Sequence, residues 1–125
     1  MHISSPKELE VYKRSWALSM MIFELSKRFP AEEKFAMISQ IRRSSRSVCM
    51  NLREAWAKRR YEAHFIMKLN DCDGENSETE TSLDYAFACS YITKDQHTEM
   101  TSLSHEIGRM LNAMIAHPEK FTPRQ

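Results

Sequence analysis

With 125 residues, two glycines and four prolines, and an abundance of Met, Ala, Leu, Glu, Lys and Arg, the chain has the size of one domain and the composition of long helices joined by short turns. A formal net charge of +1 excludes a global field that would draw it to nucleic acid or anionic lipid, so any such attraction has to come from local segregation of charge. No charged leader precedes an apolar run and no stretch approaches the roughly 20 apolar residues of a membrane span, which predicts a cytoplasmic protein with no membrane partner.

The predicted class is all-α, a single domain over residues 1–125. Ser4 and Ser5 before Pro6 form a helix start, with Glu8 and Glu10 where the macrodipole favours acids. Leu9, Tyr12, Trp16, Ser19, Met20 and Phe23 then recur at steps of three and four, the expected buried stripe of a first helix over about residues 6–29. Pro30 ends it and suits the first turn of the next, which makes the first two helices antiparallel neighbours.

The second helix, about residues 31–58, places Ile41, Ser45, Val48, Leu52 and Ala55 on one seam, with Ile38 and Trp56 at its margin. Gln40 to Arg60 holds seven basic residues against the single acid Glu54. Arg42, Arg46, Arg53 and Arg60 fall within about 40° of one another beside the seam, and Arg43 lies next to them in sequence. Such a ridge predicts an anionic counterpart: the chain's own acids, a second subunit, or nucleic acid.

From about residue 61 to 90, Phe65, Leu69, Cys72, Asn76, Thr79, Leu83, Ala86 and Ser90 step 4, 3, 4, 3, 4, 3, 4. The run passes in register through Asp71 to Glu78, whose composition alone reads as a loop, so the spacing predicts one helix with Gly74 inside it. Glu62, Asp73, Glu80 and Asp84 form an acidic ridge beside this seam, a counterpart for the arginines within one bundle or between subunits. Thr93 is placed to cap a fourth helix, about residues 94–116, with the stripe Met100, Leu103, Ile107, Met110 and Met114, widened by Leu111 and Ile115. Pro118 stops it, and residues 118–125 read as a frayed tail.

No metal, cofactor or catalytic residue is predicted. No Glu has a His three residues later, as a di-iron bundle requires, and Asp71 to Glu78 has Cys72 where a calcium loop wants an oxygen. Cys49, Cys72 and Cys89 read as core residues of a reduced protein. Trp16 and Trp56 read as core, Trp56 being the better placed for a subunit contact.

Several blocks are distinctive in combination: Phe29-Pro30, Gln40 to Arg43, Ser47 with Asn51 and Glu54, and Glu78-Thr79-Glu80-Thr81 with Leu83. In this order they resemble the small bacterial four-helix bundle proteins encoded by intervening sequences of large-subunit ribosomal RNA genes. Cys49 and Ala55 stand where that family usually has proline and glycine. The resemblance implies an antiparallel up-down-up-down four-helix bundle that assembles into homopentamers around a central channel. It also implies kinship with the accessory variability determinant of diversity-generating retroelements, a basic pentamer that binds nucleic acid and a reverse transcriptase. The expected role is therefore a non-enzymatic interaction scaffold whose partner is itself. The alternative is an accessory protein that binds RNA or DNA, or a nucleic-acid-processing protein, through Arg42, Arg43, Arg46, Arg53 and Arg60.

Overall fold

The structure, a computed structural model, describes residues 3–123. Four helices, α1 (Glu10–Ser26), α2 (Ser39–Ala57), α3 (Glu62–Ala88) and α4 (Lys94–Ala116), form an antiparallel bundle in which each packs chiefly on its neighbours around a square, α4 closing on α1. No helix among the described residues is long and apolar enough to cross a membrane.

The first helix starts later than its composition suggests. Ser5 accepts from the Lys7 amide and caps only a 3₁₀ turn, Pro6–Glu8; Leu9 is then extended (φ −68°, ψ 134°), which separates that turn from α1. The seam of α1 is also rotated from the predicted stripe. Val11, Tyr12, Ser15, Leu18, Ser19, Ile22 and Ser26 are buried, whereas Trp16 and Met20 are 55% and 43% exposed. The expected stripe contained Ser19 but missed Ser15 and Ser26; the hydroxyls of all three donate to α1's own carbonyls, Ser15 to Val11 at 2.7 Å, Ser19 to Trp16 at 2.8 Å and Ser26 to Phe23 at 3.0 Å. A small side chain satisfied in this way can face a core without an orphaned polar group.

Between α1 and α2 the chain makes a 3₁₀ turn, Ala31–Glu33, and a π-helical turn, Lys34–Ile38, before regular helix begins at Ser39. The Tyr91 hydroxyl donates to Glu33 at 2.9 Å, and the Phe29 and Tyr91 rings lie 5.4 Å apart, fastening this corner to the α3–α4 connection. The seam of α2 contains the expected Ile41, Ser45, Val48, Leu52 and Ala55, widened by Ser44, Cys49 and Trp56.

Every predicted seam position of α3 from Phe65 to Ala86 is buried, and the helix runs unbroken through Gly74. It stops two residues short of the predicted end because Ser90 turns left-handed (φ 63°). The Tyr91 amide then donates to the Ala86 carbonyl at 2.8 Å and the Ser90 amide to Phe87 at 2.9 Å, a Schellman closure. Ser90 itself is exposed and lies outside the seam. Thr93 caps α4 reciprocally with Gln96, as its position predicted. On α4 the buried set is Met100, Ser104, Ile107, Leu111 and Met114, so Leu103 and Met110 are flanking rather than central.

Two further expectations change. The segment after α4 is packed: Pro118 is buried, and the Phe121 ring centroid lies 6.3 Å from that of Phe65. Residues 124 and 125 of the predicted tail lie outside the described residues. Cys49 and Cys72 are core residues, donating to the carbonyls of Tyr12 (3.7 Å) and Val48 (3.5 Å), but Cys89 is exposed. Burial pushes the Cys49 thiol up to about 12 and the Cys72 thiol higher than its ordinary value, so neither is a ready nucleophile.

Candidate interaction surfaces

The first two arginines of the predicted ridge, Arg42 and Arg46, face the groove against α1, whereas Arg60 lies in the turn that follows Ala57 and so leaves the helical ridge. Arg42 Nε donates to Ser26 Oγ at 2.8 Å, and its guanidinium lies 4.8 Å from the centre of the Phe23 ring, with that of Arg46 5.6 Å from the same ring. These are cation–π and hydroxyl contacts, which position a guanidinium without neutralising it. Among the described residues none of Arg42, Arg46, Arg53 and Arg60 makes an ion pair. The antiparallel register, held by Arg42–Ser26 towards one end and Cys49–Tyr12 towards the other, brings exposed Trp16 and Met20 alongside the stretch from Arg42 to Cys49, which includes Arg46. Met50, 66% exposed, directly follows that stretch. The tryptophan on this surface is therefore Trp16. Trp56 is 9% exposed and lies beneath Arg59, whose guanidinium is 4.1 Å from its ring centre.

Arg43, one residue from the ridge but 100° around the helix, belongs to the α2–α3 edge. It pairs with Glu78 at 2.9 Å and Glu75 at 3.3 Å, acids that lie outside the predicted ridge. Glu78 first, and Glu75 second, hold the Arg43 guanidinium more firmly protonated than usual. Burial nonetheless raises the Glu75 carboxyl, and Arg43 offsets that only in part.

The predicted acidic ridge meets α4 instead of the arginines. Asp84 Oδ1 lies 2.7 Å from His97 Nε2, and Glu80 Oε1 contacts His105 Nε2. Asp73 lines a groove of about 510 Å³ with Glu80, His105, Gly108 and Arg109. Glu62 is exposed at the start of α3 and makes no ion pair among the described residues. In a square bundle the α1–α2 and α3–α4 edges lie on opposite sides, so one chain cannot bring its two ridges together. His97, His105, Glu75, Glu78 and Trp16 are the members sequence reasoning passed over. Helical phase could have placed the two histidines beside the acids only if the facing helix had been known. No group of three His, Cys, Asp or Glu side chains among the described residues is placed to hold a metal ion.

The sequence pattern of the 23S rRNA-intervening sequence proteins matches residues 7–113, from the first turn of the chain into the last turn of α4. The chain belongs to this family. A crystal structure of a protein of unknown function from the S23 ribosomal protein family of Bacteroides thetaiotaomicron is similar at 36% identity and a TM-score of 0.76, over 84% of this chain and 97% of that one. Comparison with curated proteins gives no match. Family membership agrees with the bundle and its heptad core.

Proposed function

We propose that this member of the intervening-sequence family is a cytoplasmic, non-enzymatic scaffold whose bundles join head to tail into a closed ring, a pentamer. The observation that carries this reading is the placement of unneutralised Arg42 and Arg46, beside exposed Trp16 and Met20, on the side of the bundle opposite Asp73, Glu80 and Asp84. Complementary patches on opposite sides make a heterologous contact, which closes into a ring when the rotation between subunits divides a full turn. Trp16 supplies the kind of rigid apolar anchor found at interface centres, and the arginines supply orientation.

A second reading has one observation in its favour. An exposed tryptophan beside a row of guanidinium groups is also how single-stranded nucleic acid is held, by stacking on the ring and contact with phosphate. Arg46→Glu separates the two. Self-assembly predicts that the variant sediments as a smaller species than the parent at micromolar concentration, while circular dichroism stays unchanged because Arg46 is exposed. Nucleic-acid binding predicts intact assembly, lost affinity for single-stranded RNA, and a slope of log affinity against log salt lower by about one. A variant that matches the parent in both assays removes the support for both readings.

A further inference from the structure

We infer that assembly through the α3–α4 face is governed by pH, with His97 and His105 as the switch; this rests on the head-to-tail reading above. Both imidazoles sit on the carboxylates that a neighbouring subunit's arginines would seek, His97 on Asp84 and His105 on Glu80. His97 is also stacked on the Phe87 ring, with centroids 4.9 Å apart, and is 23% exposed, so it is held in place rather than free to turn away.

The charges on this face make the two histidines decisive. From α3 come Glu62, Asp73, Glu80 and Asp84; from the facing side of α4 come Lys94 and Arg109. The remaining acid of the middle of α4, Glu106, is taken by Arg14 of α1 at 2.7 Å and belongs to a different edge. Carboxylates thus exceed cations by two when both histidines are neutral, and protonation of both cancels the excess. A neutral imidazole can donate a hydrogen bond to its carboxylate and leave the negative charge in place for an incoming guanidinium. A protonated one competes for the same oxygens and repels the newcomer. Imidazoles make this change between about pH 5 and pH 8. An arginine docked beside each pair disfavours the imidazolium, so the assembled form binds fewer protons than the free subunit. Assembly is then favoured as pH rises and lost as it falls.

The test is sedimentation velocity of the full chain at constant ionic strength, at about pH 8 and about pH 5.5, beside the double variant His97→Gln with His105→Gln. Glutamine keeps a donor for each carboxylate and cannot acquire charge. The expected result is a parent assembled at the higher pH whose dissociation constant rises on the order of tenfold or more at the lower one, with helicity unchanged by circular dichroism, and a variant assembled at both. A parent equally assembled at both values, a variant that dissociates like the parent, or helicity lost together with assembly overturns the inference while leaving the scaffold reading intact. A parent that is monomeric at both values overturns the scaffold reading itself, and this inference with it.

Discussion

Asn76 and Ser104 exchange hydrogen bonds across the buried seam between α3 and α4: the Asn76 amide donates to the Ser104 carbonyl at 2.9 Å, and the Ser104 hydroxyl donates back to Asn76 Oδ1 at 3.3 Å. Both residues are buried, 5% and 1% exposed, so the pair fixes the register of the two helices at a level where Leu or Ile could slide. Asn76→Ala removes both bonds and opens a void. The variant should lose about 1–3 kcal/mol of unfolding free energy in urea, with an unchanged dependence on denaturant.

Ser90 closes α3 with a backbone conformation that L residues adopt at a cost, and glycine does not share that cost. Its side chain is exposed and makes no contact the closure needs, since the two Schellman bonds are main-chain bonds. Ser90→Gly should therefore stabilise the protein by up to about 1 kcal/mol, read as a higher melting temperature. A lower melting temperature would show that the left-handed turn is not what limits this corner.

Glu75 gives stability an unusual pH dependence. Burial raises its carboxyl above the ordinary value despite Arg43, so the native state holds the proton more tightly than the unfolded chain does. Stability from this group is therefore greatest in acid, falls as pH rises through the unfolded value, and reaches its full loss above the folded one. Glu75→Gln removes the ionisation and leaves Arg43 its Glu78 partner. The variant should be more stable than the parent near neutrality, and the two should converge below about pH 4, in paired denaturation series.

Phase along a single helix was enough to determine the core of α3. Its strict alternation of three and four, from Phe65 to Ala86, survives Gly74 and the loop-like residues around it because a helix interior tolerates one glycine for about 1 kcal/mol, whereas a shifted seam would expose every core side chain beyond it. The Thr93 cap, the seam of α2 and the family blocks were legible for the same reason, each being a relation between residues a turn or two apart. What only the tertiary structure decided is which helix faces each flank. Arg42 and Arg46 meet Phe23 and Ser26 of α1, and Glu80 and Asp84 meet His105 and His97 of α4, although the sequence places arginines and acids in matching rows beside adjacent seams. A residue's angle about its own axis follows from its number, but the neighbour at that angle depends on how four helices are arranged around one another. In a square bundle the outer flanks of α2 and α3 point to opposite sides.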